Sequence, residues 1–88
     1  MPRYTVVWDN DAIDQLARLW MTSADRESVK EAANKIDAEL LNDPGNKGQA
    51  QTESLRTLTA EPLEVLFSIR DPDRLVRVLV VRRVSQAG

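Results

Sequence analysis

Residues 55–83 read LRTLTAEPLEVLFSIRDPDRLVRVLVVRR, and this stretch decides the fold. Within it Leu63, Val65, Phe67 and Ile69 alternate with Glu64, Ser68 and Arg70, the period of two that marks a strand with one apolar and one mostly polar face. The breaks at Ala60-Glu61-Pro62 and Asp71-Pro72-Asp73 are short enough for hairpin turns. Three consecutive strands are therefore predicted, Glu53 to Thr59, Leu63 to Arg70 and Arg74 to Val84, forming a β-meander. In the last of these Val76, Val78 and Val80 on one side and Leu75, Leu79 and Val81 on the other are all apolar, which predicts an interior strand paired on both edges.

Upstream of the meander the period changes. Ile13, Leu16, Ala17 and Trp20 fall at i, i+3, i+4 and i+7, the stripe of a helix docked on a core, and Asp9 or Asn10 is placed to cap it. Thr22 and Ser23 break that helix and cap a second one, with Asp25 and Glu27 in its first turn and Val29, Ala33, Ile36 and Leu40 facing inward. The pairs Asp14 with Arg18 and Glu31 with Lys35 are spaced to meet on the wet faces. Asn42-Asp43-Pro44-Gly45 ends the second helix, and a polar, glycine-bearing loop is predicted through Gln51. Arg3 to Trp8 reads as an opening strand with Tyr4, Val6 and Trp8 on one face and Thr5 and Val7 on the other. The two tryptophans, closing that strand and the first helix stripe, are assigned to the core.

The order β-α-α-β-β-β predicts an α+β domain, a helical hairpin packed on one face of a four-stranded mainly antiparallel sheet. The apolar last strand needs two neighbours, so the opening strand is predicted to lie beside it after the crossover. The 88 residues are read as one domain, 1–88, near the lower size limit for a single unstapled core.

Composition narrows the chemistry. The chain has no cysteine and no histidine, which excludes disulfide frameworks, thiolate or imidazole metal sites, Ser-His-Asp triads and imidazole bases. Neither a cofactor nor a metal is expected. No apolar run approaches the roughly 20 residues of a membrane span, so a cytoplasmic protein without a membrane partner is predicted. The net charge of −2 argues against nucleic-acid binding by bulk electrostatics, yet the charge is uneven. Residues 70–88 hold five arginines against two aspartates, a local +3, so the remainder carries −5. Arg70 and Arg74 are expected to make weak surface pairs with the neighbouring aspartates, and Arg74 and Arg77 to be solvated strand residues.

The opening segment YTVVWDNDAIDQLARLW, the second helix ending IDAELLNDPG and the meander resemble, in order, spacing and loop length, the RelE/ParE toxin superfamily of type II toxin-antitoxin systems. The resemblance implies a small cytoplasmic toxin held inactive by a cognate antitoxin protein. It also implies one of two activities: inhibition of DNA gyrase, as in ParE-like members, or ribosome-dependent cleavage of mRNA, as in RelE-like members. A degenerate, non-toxic member is a third reading. A small-molecule substrate is not expected.

Carried over by position, the resemblance makes Arg56, Arg82 and Arg83 candidates for contact with the target or with RNA. Glu64 stands at the hairpin position where RelE-like enzymes carry an arginine. Catalytic residues stay unassigned. Arginines can stabilise a phosphorane, but they stay protonated, and no tyrosine or histidine follows the last strand to move a proton. The ParE-like reading is therefore preferred, with the ribonuclease as the alternative.

Overall fold

A computed structural model describes residues 4–52, 54–70 and 72–84. The chain runs β1 (Thr5–Trp8), α1 (Asn10–Thr22), α2 (Arg26–Leu41), a single 3₁₀ turn (Pro44–Asn46), β2 (Gln49–Ala50), β3 (Leu55–Ala60), β4 (Leu63–Arg70) and β5 (Leu75–Arg83). The strands form one sheet in the order β1-β5-β4-β3-β2. β1 runs parallel to β5, and every other pairing is antiparallel. The helical pair covers one face, as the pattern predicts, and β5 does lie between β1 and β4.

The core follows from alternation. Leu63, Val65 and Phe67 of β4 and Val76 and Val78 of β5 are fully buried, and they meet Val29, Ala32, Ile36 and Leu40 of α2 and Ala12 of α1. Val6 and Trp8 of β1, with Tyr4 just before it, pack against the same cluster, while Thr5 and Val7 turn outward. Trp8 donates from its indole nitrogen to Asp37 Oδ1 at 3.3 Å, which satisfies the ring's polar edge where it is half-buried.

Several expectations need correction. The sheet has five strands, not four, because the predicted loop contains β2. Gly48 makes that pairing possible: its φ of +65° is a conformation open chiefly to glycine, and a Cβ there would stand 1.8 Å from the Thr57 carbonyl oxygen. β4 keeps its predicted bounds, while β3 runs one residue further, to Ala60, and β5 is shorter at both ends, Leu75–Arg83. β3 begins at Leu55, Glu53 lying outside the described residues, and Arg74 sits in the β4–β5 turn at φ +49°.

Helix α2 is capped by Asp25, not by Thr22 or Ser23. The Asp25 carboxylate accepts from Ser28 Oγ at 2.5 Å and from Ser28 N at 3.2 Å, while Ser23 Oγ accepts from Asp25 N at 3.3 Å. Asp9 is the N-cap of α1 without a side-chain capping bond. Among the described residues the only ion pairs within 4.0 Å are Arg77 with Asp9 and Arg82 with Glu64. The helix-surface pairs predicted for Asp14 with Arg18 and Glu31 with Lys35 do not close, as expected of long exposed side chains that lose entropy for little Coulomb gain. Of the aspartates expected to pair with Arg70 and Arg74, Asp71 lies outside the described residues and Asp73 makes no such pair; Arg77 reaches across to Asp9.

The largest correction concerns α1. Its sheet-facing side is Ala12, Leu16 and Leu19, a face rotated from the predicted stripe. Trp20 is consequently 42% exposed and Ile13 50% exposed. The helix is apolar over two adjoining faces, and only one of them is covered. No helix among the described residues is long and apolar enough to cross a membrane.

Candidate functional site

The position of the strand-end arginines depends on one irregularity in β5. Leu66 pairs with Val80 and Phe67 with Val78, so Leu79 is an extra residue without a partner on β4. This bulge resets the alternation. Val76 and Val78 point to the covered face before it, and Val81 points there after it, whereas an unbroken strand would have sent Val80 and Arg82 inward. Arg82 thus emerges on the open face and Arg83 on the opposite side.

Beyond Trp8, β5 has lost its β1 neighbour, since the last pair of that ladder is Trp8 with Val78. The outward-pointing amide of Val81 would be left unpaired. Gln15 of α1 fills the gap, its Oε1 accepting from Val81 N at 2.9 Å. Gln15 and the bulge together hold the end of β5 in place, and neither role is signalled by a hydrophobic pattern.

On the open face Glu64 and Arg82 are direct cross-strand partners. Arg82 Nε donates to Glu64 Oε1 at 2.5 Å, Arg82 Nη2 reaches the same oxygen, and Thr59 Oγ1 donates to Glu64 Oε2 at 3.2 Å. The Arg82 side chain is 70% exposed and that of Glu64 only 18%. Glu64 is therefore held on both oxygens, and Arg82 presents the rest of its guanidinium to solvent. Thr59 was legible in principle: counting back from the Ala60–Pro62 turn places it opposite Glu64.

The four candidates do not form one constellation. Arg83 pairs in register with Leu63 on the other face and lines a polar cleft with Ser23, Asp25, Ser28, Glu61, Pro62 and Val84. Its guanidinium has no partner among the described residues. The acids in that cleft counter its charge, and Ser28 holds the Asp25 carboxyl below its ordinary 3.8, through the side-chain hydrogen bond first and the backbone one second. Arg56 shares the covered side of β3 with Leu58 and Ala60 by alternation. It donates from Nε to Lys47 O at 2.9 Å and from Nη2 to Gly48 O at 3.2 Å, tying the 47–50 segment to the sheet.

A second candidate surface lies on the helices. Ile13, Ala17 and Trp20 of α1 face Val29, Lys30 and Ala33 of α2 across an open, strongly apolar groove. Arg26 stacks over the Trp20 ring, 4.8 Å from its centroid, and donates to Met21 O at 3.4 Å, fixing one wall. An uncovered apolar groove rimmed by Lys30 and Arg26 suits the apolar face of an acidic partner helix.

No family model and no curated protein matches the sequence. Solved structures do match the fold. The toxin-antitoxin complex RelBE2 from Mycobacterium tuberculosis superposes with a TM-score of 0.75 at 20% identity, over 94% of this chain and 93% of that one. The chromosomal ParDE toxin-antitoxin system from P. aeruginosa gives 0.68 at 20% identity, over 93% and 97%. The isolated RelE toxin of E. coli gives 0.67 at 16% identity, over 97% and 88%. The chain has the fold of the RelE/ParE toxin superfamily.

Proposed function

We propose that this chain is the toxin of a type II toxin-antitoxin pair, acting in the cytoplasm by binding a macromolecular target, with DNA gyrase the first candidate. The fold supports the toxin role, and its solved neighbours include RelBE and ParDE complexes. The apolar groove between α1 and α2 supports a cognate antitoxin that silences the chain by laying an amphipathic helix there.

The observation that carries binding over cleavage is the Glu64–Arg82 pair. RNA cleavage by ribose 2′-hydroxyl attack needs an unopposed cation at the phosphorane and groups that move protons. Here the strand-end guanidinium on the open face already faces a carboxylate. That carboxylate is itself held by Arg82 and Thr59 and would repel an incoming phosphate. The chain's one tyrosine, Tyr4, lies just before β1 and packs on the covered side.

Induction in a bacterial host tests this reading. Growth arrest with intact transcripts and blocked supercoiling is expected. Discrete cuts within codons by primer extension would replace it with the RelE-like ribonuclease, and unimpeded growth would leave the non-toxic reading. Co-expression of the adjacent reading frame should restore growth, and Trp20→Asp should abolish that rescue while leaving the melting temperature nearly unchanged.

A further inference from the structure

The open face has a polar cleft of its own, at the end away from Glu64 and Arg82. Ser68, Arg70, Leu75 and Arg77 line it. Ser68 stands directly opposite Arg77 and Arg70 opposite Leu75, so the two arginines occupy diagonal positions on one face, about 7–8 Å apart. The two side chains place like charges on one face of the sheet. Relief here is partial. Arg77 Nε lies 3.6 Å from Asp9 Oδ1, while Arg70 and the Ser68 hydroxyl have no partner among the described residues. Val7, paired in register with Arg77 and 39% exposed, and Val80, 38% exposed, add apolar surface beside the cleft.

We propose that this cleft is a carboxylate-binding subsite that receives an acidic side chain from an extended partner polypeptide with apolar residues flanking that acid. Guanidinium forks match the two oxygens of a carboxylate, and the Ser68 hydroxyl supplies a further donor. Val7, Leu66 and Val80 offer contacts for the flanking apolar side chains. Arginine is among the residues enriched at protein interfaces.

Nucleic acid is the poorer occupant. A phosphate backbone carries a charge at every nucleotide and, leaving the cleft along β4, would meet Glu64, whereas a single carboxylate seated in the cleft does not reach it. Single strands also need stacking platforms, and all four aromatics are elsewhere: Tyr4, Trp8 and Phe67 pack on the covered side, and Trp20 is on α1. The proposal does not depend on the toxin reading, because binding is measured on the purified chain whether or not it arrests growth.

The test is an amide-resolved NMR titration of the full chain with an acetylated, amidated heptapeptide alternating leucine and glutamate. Parallel titrations use the leucine–glutamine analogue, oligouridine of similar length and inorganic phosphate. Shifts centred on Ser68, Arg70, Leu75 and Arg77 are expected with the glutamate peptide. Affinity should fall about tenfold or more with the glutamine analogue and in Arg70→Gln and Arg77→Gln. Arg74→Gln, in the turn outside the cleft, should bind as the parent does. The proposal is overturned by the absence of shifts at millimolar peptide, by equal binding of the glutamine analogue, or by oligouridine or phosphate binding the same amides as tightly. An equal loss in Arg74→Gln also overturns it. The peptide comparison needs no variant to fold.

Discussion

Strand β4 presents two faces built from interleaved residues of one eight-residue segment, and they differ in what they are packed for. Toward the helices Leu63, Val65 and Phe67 have no solvent exposure. Toward solvent Glu64, Leu66 and Ser68 are half-buried and Arg70 is exposed, in a surface of paired charges, hydroxyls and aliphatic side chains. The covered face supplies the folding free energy, which in so small a domain has little reserve. The open face contributes little to stability and is free to vary its chemistry, which is where partner recognition can be written without cost to the fold.

Substitutions across this divide should separate cleanly. Phe67→Ala, the largest expected effect, should destabilise by about 3–5 kcal/mol, enough to leave the domain mostly unfolded in denaturant or thermal melts. Ser68→Ala, one position along and on the other face, should leave the melt within experimental error.

The bulge is the device that keeps the two faces of β5 apart, and deleting Leu79 probes it. The shortened strand runs Val78, Val80, Val81, Arg82 with unchanged facing, so Arg82 should stay opposite Glu64 and the domain should fold, with a smaller loss than Phe67→Ala. NMR spectra of that deletion in which Arg82 no longer lies beside Glu64 would contradict the bulge assignment.

Smaller still is the Glu64–Arg82 pair itself. With Arg82 70% exposed, a double-mutant cycle of Glu64→Gln and Arg82→Gln should give a coupling of no more than about 1 kcal/mol, shrinking with added salt. A salt-insensitive coupling well above that would mark the open face as a stability element and blur the comparison.

The smallest effect lies at the cap of α2. The Asp25 carboxyl is held below 3.8 by Ser28, so its contribution is fully present above that unfolded-state value and is lost as pH falls through the depressed folded value. Asp25→Ala should therefore lower the melting temperature at neutral pH, and the gap from the parent chain should close under acid titration.

Much of this architecture was legible because strand alternation and hairpin turns are local. Leu63 to Arg70 matches β4 residue for residue, and placing β1 beside β5 followed from the need of a doubly apolar strand for two neighbours. The misses share one cause, that several residues were competent for more than one environment. Ile13 and Trp20 sit on a stripe as apolar as the one that docks, and only the seating of α1 over β5 selects Ala12, Leu16 and Leu19. Gly48 carried a turn signal, but that the turn folds back to add β2 depends on the Thr57 backbone and the Arg56 side chain, both supplied by β3.

The candidate site was legible by residue type and not by grouping. Adjacent arginines at a strand end must point to opposite faces, which holds for Arg82 and Arg83. Which face each takes is set by the unpaired Leu79, and no periodicity reports a bulge inside an apolar run where every residue tolerates burial. The Ser68, Arg70 and Arg77 cleft was equally hidden, since those residues come together only once β4 and β5 are in register.

By itself the sequence determined the elements, their order and the core of the meander, because hydrophobic period and turn chemistry act within a few residues. Tertiary structure alone decided which apolar face of α1 stays open, where each arginine emerges and which carboxylate meets it. Those outcomes depend on the seating of a helix and on a one-residue slip between two strands, both distances in space that no stretch of chain encodes locally.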